Sequence, residues 1–521
     1  MNQHDSLWQT LVQQADAVCG QTMQQMFAAD VGRGERFSLR YETLYLDYSR
    51  NLVDEQAIKL LCRLAEQQGL SEKIAGLFGG ADVNRTQARP ALHTLLRQTA
   101  GGDGGDVAVE VRVEREKMYQ FCRRLRAGEL RGAGGKAIGR LVHIGIGGSA
   151  LGPRLLLDAL GDYQDDAIGF DFVANIDPAE IDDVLAGADP ETTLFIVVSK
   201  SFCTEETRHN AEAAKQWLQQ HGCTDYSRHF VGVSEDVGAV ADFGIVPEYY
   251  FRLWPWVGGR YSVWSSVGLI ACAVLGEDVF SRVLGGAESM DQHFRRAALP
   301  DNIPVLLGLL SIWYINLLDY TSHAVVPYAH RLRLLPDYLG QLVMESNGKS
   351  VTGDGVVCDY DTAPVVWGGA GSNAQHAFFQ LLHQGSRKTT LDFIAVARGR
   401  DQAAQDRLLA NCIAQGKALL EGKADRQQPH RHIEGNRPST TLLFDELNPY
   451  NLGMLLALYE HKTFVESVLW DIDAFDQWGV ELGKTLATEI GACLQDAGAG
   501  GELDPSSAGL LAFYRQCKRS E

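Results

Sequence analysis

A side chain that carries a proton between two adjacent carbons must reach both, and it works best where a carboxylate is partly withdrawn from water. The run Gln341-Leu-Val-Met-Glu-Ser-Asn-Gly-Lys349 offers one such group, Glu345, directly after apolar Leu342-Val343-Met344. On its own the run reads first as the polar end of a surface helix. Gln341 lies four residues earlier and would share a helical face with Glu345.

Two stretches could hold an anion. Gly145-Ile-Gly-Gly-Ser-Ala-Leu-Gly152 joins a strand to a helix. Its glycines let a ligand approach the backbone, and the helix start presents free N–H groups. It also reads as a tight turn needed only for packing. A third reading is the start of a dinucleotide fingerprint, with Gly145, Gly147 and Ala150 as the small positions and Asp171 or Asp177 as the ribose acid. Ser199-Lys-Ser-Phe-Cys-Thr204 brings three hydroxyls, Ser199, Ser201 and Thr204, to the start of another helix, which suits a phosphate. The plainer reading is one hydroxyl capping the helix, with Glu205 and Glu206 favouring its positive end. Those acids count against a phosphate unless they turn to solvent. Three hydroxyls, with Ser149 on the preceding crossover, favour the anion site.

Three stretches carry further polar groups. Val257-Gly-Gly-Arg-Tyr-Ser-Val-Trp264 places Arg260 after two glycines. It is either a solvated turn or a fixed guanidinium that favours developing negative charge. Gly371-Ser-Asn-Ala-Gln-His-Ala-Phe-Phe379 carries His376 on an expected helix, Gly371 to Gln384, with His383 on the same face. Histidines so placed are usually packed core groups, and His93 is read that way too. Asp476-Gln-Trp-Gly-Val-Glu-Leu-Gly-Lys484 would put Gln477, Glu481 and Lys484 on one helical face. Lys484 alone reads as a surface lysine with its stem laid along apolar surface.

The elements that must position these groups alternate. Residues 1 to about 104 read as helical, with one helix over Asp54 to Gln67 and another over Thr86 to Gln98. A turn-rich break at Thr99 to Gly105 marks a boundary near 105. Strands are expected at 141–146, 170–174, 193–198 and 229–233, separated by helices, which means a parallel sheet covered by helices. After a second boundary near 275, long helices at 277–297 and 303–320 lead into strands at 325–328, 364–367 and 391–396. Helices at 451–469 and 473–496 close the fold, and the tail from Leu503 to Glu521 is polar with one apolar stripe.

The whole chain, 521 residues with 45% hydrophobic and 22% charged, suits a globular protein of two domains. A net charge of −19 speaks against nucleic acid or an anionic membrane as partner. The longest apolar stretch, Pro304 to Leu318, is short of the roughly 20 residues that span a bilayer. The N-terminal residues show no secretory pattern. The ten cysteines form no Cys-x-x-Cys pair and no zinc-like spacing. They read as buried reduced thiols of a cytoplasmic protein.

Taken together, the glycine turn at 144–149, the Ser199–Thr204 loop, the Arg260 turn, the Glu345 run, the His376 stretch and the near-complete match over Tyr459 to Leu486 resemble the glucose-6-phosphate isomerase family. The likeness runs from about Phe37 to Leu486. The family has Ser-Lys-Thr-Phe-Thr-Thr where this chain has Ser201 and Cys203. It has Gly-Thr-Asn-Gly-Gln-His where this chain has Ser372 and Ala374. Gln87 and Gly369 stand where a Glu is common, and Ala150 is a further departure. The resemblance implies an α/β fold of two sugar-isomerase-type αβα sandwich domains with parallel-type sheets, an N-terminal helical segment and a C-terminal helical tail. The expected small domain is 105–275, and 1–104 with 276–521 forms the large one. The resemblance implies interconversion of glucose 6-phosphate and fructose 6-phosphate through a cis-enediol, in glycolysis and gluconeogenesis, with no metal and no cofactor. Glu345, His376, Lys484 and Arg260 would be catalytic. Gly148, Ser149, Ser199, Lys200, Ser201, Thr204, Gln341 and Gln477 would bind substrate. A homodimer would share its sites, the histidine reaching across from the partner. A sugar-phosphate-binding regulator would need the phosphate loop but not Glu345, His376 and Lys484 together.

Overall fold

The computed structural model describes residues 5–99, 105–495 and 503–518. Most of the expected break at 99–105 and the first four residues lie outside these. By internal contacts the chain divides into Met1–Ala474 and Phe475–Glu521.

The first unit holds eleven strands among the described residues. They are β1 (Ser38–Tyr41), β2 (Leu44–Asp47), β3 (Arg140–Ile144), β4 (Gly169–Val173), β5 (Thr193–Val198), β6 (Phe230–Ser234), β7 (Tyr250–Arg252), β8 (Ser322–Tyr328), β9 (Val365–Gly368), β10 (Thr389–Val396) and β11 (Thr440–Phe444). One sheet, ordered β4-β3-β5-β6-β7, is parallel throughout. The other, ordered β1-β2-β11-β10-β8-β9, is parallel from β11 to β9, while β1–β2 and β2–β11 pair antiparallel. Every residue of β5 and β6 is buried, as expected for strands covered on both faces. Val142, Ile144, Phe195, Val197 and Phe230 pack there against Ile181, Ala211, Ala214 and Leu218 of the covering helices. The second sheet makes its own core from Val326, Tyr328, Leu391, Phe393 and Ala395 with Phe379, Leu382 and Cys412. Short polar side chains start the helices: Asp54, Asp177, Asp236, Asn302, Asp401 and Asn448 each accept a backbone N–H one turn in.

The alternating α/β architecture is as expected. Four local expectations are corrected. The 1–104 region is not all helical, because β1 and β2 form a hairpin that adds to the second sheet through β2–β11 pairing. Leu44 and Leu46 are buried and alternate with half-buried Tyr45 and Asp47, a period of two too short to stand out. Thr86 to Gln98 is not a helix. Asn84 Oδ1 accepts from Gln87 N at 3.2 Å, Asn84 bridges to Arg89, and only a 3₁₀ turn forms at His93–Arg97. A side chain that bonds the local backbone competes with the helix there. The 303–320 helix runs regularly over Ile303–Ile312 and ends in a wider turn, Trp313–Leu317. The 371–384 segment is a 3₁₀ turn at Ala374–His376 and a separate short helix at Phe379–Gln384, broken where Phe378 leaves helical geometry.

Cys62, Cys122, Cys272, Cys412 and Cys493 are buried, but Cys19, Cys203 and Cys517 are exposed, so the reading of uniformly buried thiols is also corrected. His93 is buried, its ring centroid 4.7 Å from that of Tyr261 and tilted by 34°, in keeping with a core histidine. Among the described residues no helix is long and apolar enough to cross a membrane.

The second unit has a 3₁₀ turn at Trp478–Val480 and helices at Glu481–Gln495 and Pro505–Lys518. Arg515 Nη2 donates to the Cys493 carbonyl at 2.7 Å and joins the two helices.

Candidate active site

The glycine turn after β3 is set by close approach. A Cβ at Gly145 would lie 3.1 Å from both Ser149 Cβ and the Val198 carbonyl oxygen, so this turn presses on the end of β5. A Cβ at Gly148 would lie 2.2 Å from the Gly259 carbonyl carbon and 2.6 Å from Arg260 N. Gly147 has φ +58°, and a Cβ there would sit 3.2 Å from Gln341 Nε2. One turn therefore touches the Ser199 strand end, the Arg260 turn and the Glu345 helix. Below it, buried His143 donates from Nε2 to the Ser149 carbonyl at 2.7 Å. Burial pushes this imidazole down to about 4, outweighing that hydrogen bond, so it is neutral at pH 7. Each of the two alternative candidates for the ribose acid of a dinucleotide site is engaged elsewhere. Asp171 pairs with Arg140 at 2.7 Å, and Asp177 caps the helix Pro178–Ala186.

The second loop leaves β5 at Ser199 and enters the helix Glu205–Gln220. Thr204 is the N-cap by position, yet its side chain makes no cap hydrogen bond. Its Oγ1 instead lies 3.0 Å from Ser199 Oγ. The plainer reading of a capping hydroxyl is thus not what the loop does. Phe202 turns the chain at φ +56° and is buried, while Ser201 and Cys203 stay exposed. Ser201 Oγ accepts from Cys203 N at 3.3 Å. Lys200 points another way: Nζ donates to the carbonyls of Pro255 at 2.7 Å and Val257 at 3.1 Å. Burial, with Arg89 nearby, pushes its ammonium down to about 8.

Glu345 stands near the end of the helix Leu335–Asn347. Its Oε2 accepts from Gln341 Nε2 at 3.0 Å and lies 3.4 Å from Arg260 Nη1. Its side chain is 24% exposed, against 2% for Arg260. No described residue hydrogen bonds to Oε1. One oxygen is thus held by an amide and a guanidinium. Arg260 is fixed in turn: Nε donates to Ser346 Oγ at 2.6 Å and Nη2 to the Ala474 carbonyl at 2.5 Å. Tyr261 Oη is 3.0 Å from the same Ser346 hydroxyl. Trp264, on the Arg260 stretch, donates to buried Glu460 at 2.8 Å. Ser346 was missed by the sequence reading. It sits inside the Glu345 run, but its partner comes from residue 260, and spacing along the chain carries no sign of that.

His376 ends the 3₁₀ turn after β9 and is exposed. It does not share a helix with His383, since the break at Phe378 intervenes. Gln375 beside it donates to Tyr328 Oη at 2.7 Å. In the second unit, Gln477 precedes the Trp478–Val480 turn with non-helical φ −153°. It therefore does not share the helical face expected for it. Glu481 and Lys484 do, with Lys484 Nζ donating to Glu481 Oε1 at 2.9 Å on an exposed surface. Among the described residues no three His, Cys, Asp or Glu side chains gather as metal ligands.

A family model described as phosphoglucose isomerase matches residues 47–511. The glucose-6-phosphate isomerase of Marinomonas sp. (strain MWYL1) is 42% identical, covering 98% of this chain and 98% of its own length. That of Shewanella sp. (strain ANA-3) is 44% identical with the same coverage. A crystal structure of a glucose-6-phosphate isomerase from Chlamydia trachomatis D/UW-3/Cx superposes with a TM-score of 0.88 at 32% identity, covering 99% of each chain. The chain belongs to the phosphoglucose isomerase family.

Proposed function

We propose that this chain interconverts glucose 6-phosphate and fructose 6-phosphate by proton transfer through a cis-enediol. The observation that carries the reading is the Glu345 carboxylate. One oxygen is pinned by Gln341 and Arg260, beside a glycine turn that also touches the hydroxyl loop. The names of the relatives agree with it.

In this reading the phosphate lies on the hydroxyls of Ser149, Ser199, Ser201 and Thr204 and on the backbone N–H groups that start with Gly148. Lys200 adds positive charge to the loop while tying it to residues 255–257. Glu345 takes the proton from C2 and returns it at C1. Arg260 favours the negative charge that develops on the enediol oxygens. Gln341 and Gln477 position the sugar. His376 and Lys484 move protons between the ring oxygen and the C1 oxygen when the ring opens. The sugar gains and loses the same number of protons, so the step consumes no redox co-reactant. We further infer a homodimer, in which the acting histidine is His376 of the partner subunit, and a glycolytic and gluconeogenic role in the cytoplasm. Residues 105–275 would be the small domain and 1–104 with 276–521 the large one. Support for that division is that β3 to β7 fall in 140–252 and the other sheet's strands fall outside it.

The test is a coupled assay of purified protein with each hexose phosphate in turn. Interconversion in both directions is expected. Binding of hexose phosphate without turnover would overturn the enzyme reading in favour of a sugar-phosphate-binding regulator. Measurable binding of NAD(H) would revive the dinucleotide reading.

A further inference from the structure

The helix that carries Glu345 ends at Asn347 with no basic residue in its last turn, so its final carbonyls need donors from elsewhere. Lys349, two residues beyond, folds back to supply them. Its Nζ donates to the Glu345 carbonyl at 3.2 Å, the Ser346 carbonyl at 2.7 Å and the Asp473 carbonyl at 2.8 Å. An ammonium carries three hydrogens and suits three acceptors. The backbone of Lys349 is held as well, its carbonyl accepting from Thr362 Oγ1 at 2.7 Å.

The third carbonyl matters most. Asp473 and Ala474 are consecutive, and Arg260 Nη2 donates to Ala474. Two cations therefore grip neighbouring carbonyls of one segment. Each also grips the end of the Glu345 helix, Lys349 through the backbone of 345 and 346 and Arg260 through the Ser346 hydroxyl. The arrangement is a closed frame: helix end, Lys349, segment 473–474, Arg260, Ser346 and back to the helix end. The Glu345 carboxylate and the Arg260 guanidinium, 3.4 Å apart, face each other across it.

We propose that Lys349 is a positioning residue for the isomerisation, setting the distance between the proton-carrying carboxylate and the guanidinium that stabilises the enediol. This rests on the function proposed above. Lys349 touches neither sugar nor phosphate in that scheme, so its loss acts on the chemical step. Misplacing a reacting group by an ångström costs up to about a hundredfold.

The experiment compares wild type, Lys349→Met and Lys349→Arg in the coupled assay, with thermal melting in parallel. Lys349→Met keeps the stem but loses every donor. Its kcat is expected to fall about 10- to 100-fold while KM for fructose 6-phosphate stays within about threefold. Lys349→Arg, which still donates to carbonyls, recovers most of the loss. A folded Lys349→Met with kcat within about twofold of wild type overturns the proposal, as does a fall confined to KM. Should Lys349→Met not fold, Ser346→Ala opens the same frame on the Arg260 side and must show the same loss in kcat alone; unchanged kcat there overturns the proposal. Wild-type protein without isomerase activity defeats the functional reading instead, so the two failures are distinguishable.

Discussion

At the scale of single residues the proposed reaction would divide labour between two oxygens of one carboxylate. Gln341 and Arg260 both address Oε2 of Glu345, which orients the group, and in the proposed scheme Oε1 would take the substrate proton. Replacing Glu345 with Gln keeps the size of the side chain and removes its capacity to take a proton. Turnover is expected to fall by about 10² to 10⁴ while sugar-phosphate affinity holds. Isothermal titration beside the coupled assay checks both halves, and a nearly active variant would transfer the role of base to another residue. Glu345, Gln341 and Arg260 were each legible in the sequence as candidates. Their contact was not, because Arg260 lies far away along the chain and its buried anchors, Ser346 and the Ala474 carbonyl, have no motif of their own.

At the scale of elements the glycine turn at 145–148 is the joint of the site. The strand–glycine–helix unit at this turn was readable from a run of apolar residues ending in glycine. The reason this turn tolerates so little bulk lies in its neighbours. A methyl group at Gly148 would overlap the backbone of Gly259 and Arg260, and backbone cannot swing aside as a flexible side chain can. Gly148→Ala is expected to destabilise the protein by about 1–3 kcal/mol, as overpacking does. It should also lower activity by separating the 259–260 turn from the helix of Glu345. Urea unfolding and kcat measured on the same sample test this, and unchanged stability would mean the turn yields easily. The elements that sequence periodicity misjudged share one cause. At Asn84 to Gln87 and at Phe378, local hydrogen bonding or a single non-helical residue interrupts a pattern that otherwise fits a helix.

At the scale of the whole molecule the chain stores acid sensitivity in buried neutral histidines. Burial, the largest cause in each case, pushes His143 and His293 down to about 4 and holds His93 and His461 below the ordinary range. An unfolded histidine takes up its proton near pH 6.5, whereas the folded His143 and His293 resist until about pH 4. Between those limits the unfolded state binds more protons, so stability is intact above about pH 6.5 and falls as pH drops toward 4. A displacement of that size is worth on the order of 3 kcal/mol for fully buried His143 and less for His293, which water partly screens. The urea midpoint should therefore be lower at about pH 5 than at about pH 7.5, and His293→Gln should flatten part of that dependence. A flat profile in the wild type would mean these rings are protonated without cost.

By itself the sequence determined the family and the α/β class, and it offered the candidate residues on which the proposed reaction rests. Glycine-ended apolar strands, hydroxyl clusters and a carboxylate beside an apolar run are local patterns, and local patterns survive in one dimension. Only the tertiary structure decided which of them meet. It turned Lys200 toward carbonyls, left the helix start at Thr204 without a side-chain cap and closed Lys349, Ser346 and Arg260 into one frame around Glu345. Those outcomes depend on donors and acceptors from segments distant in the chain, brought within hydrogen-bond reach by packing that no spacing of residues encodes.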